Sequence, residues 1–430
     1  MINKPQVWAT IFVTQDDRRS FVEMCLERSL PAPLEVTVTA SEEGQDHPLC
    51  TCDRDRRERL LPDETDPCEW HFVFEALAES RHSKRIRVLN IRFGDIDTFP
   101  RDSVELALGS CRFFTLPFLQ LTTLEWEDEL TPYANHLFSV PPFPPTLHSL
   151  SFEGSWHSQL TQVNNLTSLA LECYMNVVSA ETFRTLLLNN RSLETLSLQS
   201  IDLEGSPNGP PARLSDLKSF SVRFPQKILS SLICVPAFQR LSSLYVSYTE
   251  GDWEDWFTFR ATGDGIMFSV ASPLPEIVED WKDLTGHARP TIHYVRLQDY
   301  PRNKFLDEHE GGAVICLFED AHTLEIGYPY TACFYPDFLD DLKQLGPQLK
   351  TIRFELPAET EPFQGTDKYD RWDGCMLDDI EDLVGYRFEQ GRPFSSVERM
   401  VVSESERTNR LQDYVWRCFR GRLERYVRPV

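Results

Sequence analysis

Long apolar runs are absent from this 430-residue sequence. A membrane-spanning helix needs about 18 or more consecutive apolar residues, so no transmembrane segment is expected. The segment from Met1 to Trp8 has neither the apolar core of a signal peptide nor the arginine-rich pattern of a transit peptide. The sequence therefore predicts a cytoplasmic or nuclear protein that has no membrane partner.

Positive charge is also scarce. The chain has 43 lysines and arginines against 67 aspartates and glutamates, which gives a formal net charge of −24 at pH 7. Such a balance opposes binding to nucleic acid or to an anionic membrane surface, because both partners are themselves negative. Its ordinary role is to keep the protein soluble.

A regular cysteine framework is missing as well. The sequence has 11 cysteines, an odd number without regular spacing. Several of them, such as Cys173, Cys234 and Cys316, fall within strand or helix patterns. This usage is typical of reduced thiols in a cytosolic or nuclear protein rather than of a disulfide scaffold.

Motifs for catalysis are absent. The sequence contains no Gly-x-Ser-x-Gly, no phosphate-binding loop and no complete dinucleotide fingerprint, since Gly263-x-Gly265 lacks the third glycine. Zinc-binding residue types occur at Cys50, Cys52, Cys68 and His71, but their spacing matches no common class of zinc site. We therefore predict no catalytic, cofactor-binding or metal-binding residues, and a protein that is not an enzyme.

What the sequence does contain is a repeat. Leu166-x-x-Leu169-x-Leu171 is followed by Leu193-x-x-Leu196-x-Leu198, and in each copy the last two leucines lie on one face of a strand. Between the copies, residues 179–190 carry apolar side chains at helical spacing, with Ser179 as the expected cap. One strand and one helix in about 25 residues is typical of a leucine-rich repeat.

Further copies extend along most of the chain, to make about eleven in all. They begin at Ile86, Leu121, Leu147, Leu217, Leu241, Ile292, Ala321, Leu349 and Val397. The predicted fold is therefore α/β, a leucine-rich-repeat solenoid with parallel strands on the concave face and irregular helices on the convex face. The uneven spacing indicates insertions, which a solenoid absorbs in its loops.

The sequence divides into four predicted parts. Residues 1–40 read as strand, helix and strand, and residues 41–69 as a polar loop or a disordered insertion. The solenoid covers residues 70–403, with an insertion at about residues 248–288, and residues 404–430 form a capping helix. One face of that helix is basic, with Arg410, Arg417, Arg420, Arg422 and Arg425, and we expect it to be solvated.

The first part resembles fungal F-box proteins, especially the expanded mushroom families. The resemblance rests on Val7-Trp8-Ala-Thr-Ile-Phe-Val, on Arg18-Arg-Ser-Phe-Val22, on Cys25-Leu-Glu-Arg-Ser29 and on Pro33-Leu-Glu-Val-Thr-Val38. In that family such a segment links the F-box to a leucine-rich-repeat tail. The motif covers about residues 5 to 40, and the repeats that follow cover nearly all the rest.

The resemblance implies a substrate receptor of an SCF-type ubiquitin ligase. In that scheme the F-box binds the Skp adaptor and the repeats bind the protein that is to be ubiquitinated. The F-box itself would precede Pro5 and is missing here, through either a truncated gene model or a real loss. The alternative function is accordingly an interaction scaffold that has no coupling to a ligase.

The predicted binding surface lies on the strands, because residues between the buried leucines face the concave side. Its second half carries Arg223, Tyr245, Tyr294, Arg296 and Arg353, and tyrosine and arginine are enriched at binding hot spots. Two interpretations stay open: a partner surface centred on Tyr245, Tyr294 and Arg296, or a charge ladder of Arg296, Glu325 and Arg353 that only stabilises the sheet.

The insertion supplies a second candidate. Trp253 and Trp256 lie among carboxylates, and Asp264-Gly265 is typical of a hairpin turn. Exposed tryptophans would suit a basic, partly apolar protein partner. Buried tryptophans that cover the flank of the solenoid, Trp281 included, are the structural alternative.

Overall fold

We describe the protein from a computed structural model. The description covers residues 4–13, 19–40, 69–93, 113, 118–128, 143–173, 177–249, 256–273, 276–286, 288, 290–298, 320–327, 343, 346, 348–355, 372–400, 416–417 and 419–427. The chain divides into two compact units. The first comprises residues 1–217 and 228–234, and the second comprises residues 218–227 and 235–430.

The strands of the first unit form a parallel ladder in the order β1-β2-β3-β4-β5-β6-β8. Their bounds are β1 Thr10–Val13, β2 Leu34–Ala40, β3 Ile86–Phe93, β4 Thr123–Asp128, β5 Ser149–Gly154, β6 Ser168–Cys173 and β8 Thr195–Gln199. Two short parallel pairs lie beside this ladder: β7 Val177–Ser179 with β9 Asp202–Glu204, and β10 Ala212–Arg213 with β12 Ile233–Cys234.

The repeated leucines account for this ladder. Leu150, Leu169 and Leu196 are opposite one another in register, and each is almost completely buried. The residues that alternate with them point to the other, polar face. Burial of a leucine side chain contributes about 2 kcal/mol, and a slip by one residue would expose the whole set, so the apolar pattern fixes the register.

Helices of the first unit connect the strands. They are α1 Arg19–Arg28, α2 Glu69–Ala78, α3 Ser80–Ser83, α4 Ala180–Asn189 and α5 Leu229–Leu232. The predicted cap of α4 is confirmed, because the Ser179 side chain accepts a hydrogen bond from the backbone N–H of Thr182. Between β5 and β6 the chain has room only for a 3₁₀ helix, Ser158–Gln162.

Asn190 satisfies the backbone at the end of α4. It is completely buried, and its side chain accepts from the N–H of Leu166 at 2.9 Å. Its amide also donates to the carbonyls of Val163 and Leu186, at 2.9 and 2.8 Å. One side chain thus joins the helix to the segment that leads into β6 and satisfies the backbone groups of the turn between them.

The second unit contains an antiparallel hairpin within an otherwise parallel sheet, in the order β11-β15-β14-β13-β16-β17-β18-β19. The strands are β11 Ser219–Arg223, β13 Leu241–Thr249, β14 Trp256–Gly263, β15 Ile266–Ser272, β16 Tyr294–Gln298, β17 Thr323–Ile326, β18 Thr351–Glu355 and β19 Ser396–Met400. Its helices are α6 Glu276–Thr285 and α7 Trp372–Glu389.

Aromatic rings fill the core under the hairpin. Phe268 stacks on Phe220 at 5.4 Å and on Trp281 of α6 at 5.3 Å between ring centroids, and Phe238 lies 4.6 Å from it. Trp281 is almost fully buried. The burial that the structural alternative predicts is therefore confirmed for this tryptophan.

The coarser fold prediction is confirmed: the protein is α/β, and its sheets are mostly parallel. Each of the predicted repeat strands is a strand. The leucine-rich-repeat solenoid itself stays a prediction. The hairpin at Asp264-Gly265 is confirmed too, although its two strands belong to the sheet and separate β11 from β13.

One predicted register is wrong. The repeat pattern equates Val397 with Leu349, whereas β19 pairs Val397 with Ile352. The residue that takes the position of Leu349 is Phe394, which is completely buried and lies under the guanidinium of Arg387, 4.8 Å from it. The sheet thus buries the larger Phe394 at the first apolar position, and the last repeat begins three residues earlier than predicted.

The two ends of the chain follow the prediction in part. Residues 1–40 do contain a strand, a helix and a strand, but residues Pro5–Trp8 form a 3₁₀ helix, so the first strand begins only at Thr10. The predicted polar segment 41–69 lies outside the described residues apart from Glu69, which begins α2. Little of the predicted capping helix is described, within residues 416–427.

Two of the described C-terminal arginines do more than face solvent, while Arg417 and Arg420 are exposed as predicted. Arg422 and Arg425 both form ion pairs with Glu381 of α7, and Phe419 and Leu423 are buried. The C-terminal segment therefore packs through its apolar side chains and pairs with α7 through its charges. No helix in the described parts of the chain combines the length and the apolar character that crossing a membrane requires.

Candidate functional site

The polar face of the second unit brings most of the predicted binding residues together. Strand register places Arg260, Tyr245, Arg296, Glu325, Arg353 and Glu398 side by side on β14, β13, β16, β17, β18 and β19. We call these six residues the central row. The alternating neighbours on each strand, such as Leu244 and Val295, are buried in the core, which explains why this row points away from it.

Two tyrosines lie at the centre of this face. The ring centroids of Tyr245 and Tyr294 are 5.7 Å apart, and both side chains are partly exposed. The Tyr294 hydroxyl donates a hydrogen bond to Oε2 of Glu325. Burial and this bond raise the pKa of Tyr294, so the phenol stays neutral at physiological pH.

A charge ladder occupies the far end of the central row. Arg353 donates from Nη1 to Oε1 of Glu325 and from Nε to Oε2 of Glu398, both at 2.8 Å. These two bonds raise the pKa of Arg353. Ser396 donates to Glu398 at 2.5 Å, and together with Arg353 it lowers the pKa of that carboxyl group. Of the predicted ladder of Arg296, Glu325 and Arg353, the structure pairs Glu325 with Arg353, and it adds Glu398, which was not predicted.

The other end of the central row is positive. Arg296 is partly exposed, and its Nε is buried without a hydrogen-bond partner. Arg260 is exposed and lies directly across from Tyr245. Among the residues that the structure describes, no carboxylate forms an ion pair with either arginine. Two cations therefore flank Tyr245 without a countercharge from the described part of the fold.

The remaining predicted residues lie elsewhere. Arg223 is at the end of β11, where its guanidinium lies over the ring of Phe224 at 5.5 Å, and the hairpin separates it from Tyr245. Trp253 lies outside the described residues. Trp256 begins β14 opposite Thr249, and its side chain is not among those described.

Sequence reasoning missed Arg260 and Glu398 as members of the row. Arg260 belongs to the hairpin, which matches no repeat copy, and Glu398 was hidden by the wrong register of the last strand. The apolar alternation Phe257, Phe259, Ala261 is a local signal that places Arg260 on the polar face. A buried Phe394 in place of Leu349 would have done the same for Glu398.

The polar face of the first unit is different in charge. Glu127, Glu153 and Glu172 are consecutive in register on β4, β5 and β6. Arg92 lies at one end, 3.4 Å from Glu125 and 3.5 Å from Glu127, and Gln199 donates to Glu172 at the other. This face carries small hydroxyl side chains and carboxylates.

A groove of about 440 Å³ lies between α1 and the segment of α2 and α3 in the first unit. Arg81 bridges its rim by binding Glu27 at 2.6 Å and Glu79 at 2.7 Å. His82 is buried beside it, and burial together with Arg81 and Arg85 lowers the pKa of its imidazole. The histidine is therefore neutral at pH 7, and two of the surrounding acids, Glu27 and Glu79, are already paired with Arg81.

No group of three or more histidine, cysteine, aspartate or glutamate side chains within the described residues has the geometry to bind a metal ion. A scan against protein-family models finds no matching family, and a search of the curated proteins finds no match.

Proposed function

We propose that the protein is a protein-binding module and that the polar face of the second unit is its binding surface. The observation that carries this proposal is the pair of tyrosines flanked by Arg260 and Arg296 on three adjacent strands. Aromatic residues and arginine dominate the energy of protein interfaces, since they combine apolar area with a polar end.

Rigidity supports the same proposal. These side chains project from paired strands, and the buried residues that alternate with them hold the backbone in place. A preformed surface loses little conformational entropy on binding, which favours recognition of a partner. The charge ladder at Arg353 completes this support because it fixes Glu325 next to Tyr294.

Coupling to a ubiquitin ligase is a second, separate part of the proposal. It depends on the resemblance of residues 5–40 to fungal F-box proteins, and it makes the bound protein a ubiquitination substrate. The alternative is a scaffold that binds the same partner without the Skp adaptor. Co-purification of the 430-residue chain with a fungal Skp adaptor separates the two, because only the ligase function requires a stable complex.

Site-specific photocrosslinking tests the binding surface. A benzoylphenylalanine at Thr323, which neighbours Tyr294 in register, probes the second unit, and one at Ser151 probes the polar face of the first unit. We expect a discrete adduct from Thr323 and none from Ser151. Mass spectrometry then identifies the partner, and the purified partner is tested for direct binding to the full chain.

The matched variants are Tyr245→Ala and Phe12→Ala. Both remove an aromatic side chain from a polar sheet face, but Phe12 lies in the first unit, where it is 64% exposed. We expect Tyr245→Ala to weaken binding of the purified partner at least about tenfold, the loss typical of a hot spot, and Phe12→Ala to leave it unchanged. Equal adducts from both positions, or equal losses in both variants, would contradict the proposal.

A further inference from the structure

We infer that the partner segment bound by the second unit is acidic, and that Arg260 and Arg296 each hold one of its carboxylates. The inference rests on the proposed function and specifies the chemistry of the bound segment. It starts from charge complementarity: within a chain of net charge −24, these two cations lie on either side of Tyr245 without a described anionic partner.

Glu325 is the residue that would otherwise neutralise Arg296, since the two are opposite each other in register. Both of its carboxylate oxygens are engaged elsewhere, Oε1 by Arg353 and Oε2 by the hydroxyl of Tyr294. Arg353 in turn also donates to Glu398. The ladder therefore withholds the nearest carboxylate from Arg296, and an arginine whose donors lack acceptors favours an anion that comes from outside.

The spacing of the two arginines restricts the segment. They lie on β14 and β16, with Tyr245 on β13 between them, so their Cα atoms are about 10 Å apart at a strand separation of about 4.8 Å. An extended peptide that runs across the strands advances about 3.3 Å per residue. Because alternate side chains of an extended peptide face the same side, carboxylates four residues apart, about 13 Å along the chain, reach both arginine side chains. The side chain midway between them then lies over the rings of Tyr245 and Tyr294.

A protein segment fits this face better than a polyanion does. The carboxylates at Glu325 and Glu398 lie farther along the same row, and the net charge of the chain repels a long, uniformly negative polymer. A short acidic segment with an apolar residue between its carboxylates presents charge only where the arginines are. It also presents apolar area where the tyrosines are.

Fluorescence anisotropy with defined peptides tests the inference on the full chain. The probe is a fluorescein-labelled decapeptide that contains Asp-Ala-Leu-Ala-Asp between glycines and serines. Its analogues carry Asn for both aspartates, phosphoserine for both aspartates, or the two aspartates side by side. We expect the Asp-Ala-Leu-Ala-Asp peptide to bind at least about tenfold more tightly than the Asn analogue, the difference typical of charge-assisted hydrogen bonds.

Variants assign the effect to residues. Arg296→Gln and Arg260→Gln should each reduce the affinity for the acidic probe about tenfold or more, and added salt should weaken binding to the wild-type chain. Arg191→Gln, which removes an exposed arginine of the first unit, is the charge-matched control and should have no effect. Arg296→Glu should bind a probe with Lys in place of one aspartate, and this rescue shows that the variant is folded.

Each outcome is decisive. Selective binding of the acidic probe, lost in both arginine variants and rescued by charge exchange, supports the inference. If the acidic and amide probes bind equally, or if neither binds while the Thr323 crosslink still yields a specific partner, the carboxylate inference is wrong but the proposed function stands. If Thr323 yields no crosslink and no peptide binds, both the carboxylate inference and the proposed function are wrong. Tighter binding of the phosphoserine probe would overturn the assignment to carboxylates.

Discussion

The two units stabilise their sheets with different strand arrangements and different side chains. In the first, a purely parallel ladder is lined by leucines and its backbone is completed by the buried Asn190. In the second, an antiparallel hairpin interrupts the ladder, the core beneath it is aromatic, and a row of alternating charges crosses the polar face.

This difference shows that the repeat and the insertion determine different properties. The repeat determines which side chains are buried, because its apolar positions recur in every strand. The insertion determines what lies beside Tyr245, because the hairpin brings Arg260 into the row from outside the repeat pattern. The candidate binding surface therefore depends on the one part of the sheet that departs from regularity.

The largest effect should come from the aromatic core. Phe268→Ala removes the ring that contacts Phe220, Phe238 and Trp281, and we expect it to lower the free energy of unfolding by about 3–5 kcal/mol. Met267→Ala is the control, because this neighbouring side chain is 43% exposed on the opposite face, and it should cost less than about 0.5 kcal/mol. Urea unfolding of both variants measures the contrast. Similar losses would show that the hairpin does not pack as described.

In the first unit the corresponding weak point is polar. Asn190→Ala leaves a buried N–H and two carbonyls without their partner, and it should lower the free energy of unfolding by about 2–3 kcal/mol. Asn189→Ala is the matched control, since Asn189 is exposed and donates only to Thr161. Thermal unfolding compares the two variants, and a control as damaging as Asn190→Ala would disprove the role of the buried amide.

The ion pairs of the two polar faces should differ in strength. Arg353→Gln strands the buried Glu325 without its cation and should cost about 2 kcal/mol. Arg92→Gln removes exposed pairs with Glu125 and Glu127 in the first unit and should cost at most about 0.5 kcal/mol. Unfolding in low and high salt tests this contrast: only the Arg92 effect should vanish when salt screens the charges. Equal costs would mean that both faces are merely solvated.

The smallest expected effect is a gain in stability. Burial raises the pKa of Asp280 in α6 from 3.8 to about 6, so the fold favours its protonated form, and stability should fall as the pH rises from about 4 to above 6. Asp280→Asn should therefore stabilise the protein at pH 7.5 by about 1 kcal/mol and give no gain at pH 4. The exposed Asp283→Asn provides the control. A gain independent of pH, or the same gain in the control, would refute burial as the cause.

Much of the fold could be predicted because buried apolar residues recur at the same positions of each repeat. Leucines such as Leu169 and Leu196 mark their strands unambiguously, and the hairpin turn at Asp264-Gly265 is encoded locally. The position of the hairpin in the sheet could not be predicted, because the alternation around Phe268 pairs equally well with any neighbouring strand. The last register failed for a similar reason, since both Phe394 and Val397 suit the first apolar position.

The candidate site divides in the same way. Tyr245, Tyr294, Arg296 and Arg353 were predictable because they occupy outward-facing positions of regular repeats. The sequence could not predict which arginine is neutralised, because this depends on side-chain conformation. Glu325 lies between Arg296 and Arg353 in register and forms its ion pair with Arg353. The repeat pattern predicts which residues are neighbours, but only the side-chain positions show which of them form an ion pair.

The inserted hairpin adds two strands, β14 and β15, between β11 and β13, and an even number of added strands preserves strand direction. Passing from Ser219 through Met267 and Thr262 leads to Ser243, the residue that the repeat pattern itself places beside Ser219. Two reversals of direction cancel, so β13 continues the sheet with the same polarity and the same outward-facing side chains as β11. A single added strand would reverse everything after it, whereas strands added in pairs leave the repeats unchanged. The sheet can thus gain or lose whole hairpins at this position, and with them residues such as Arg260, without disturbing its frame.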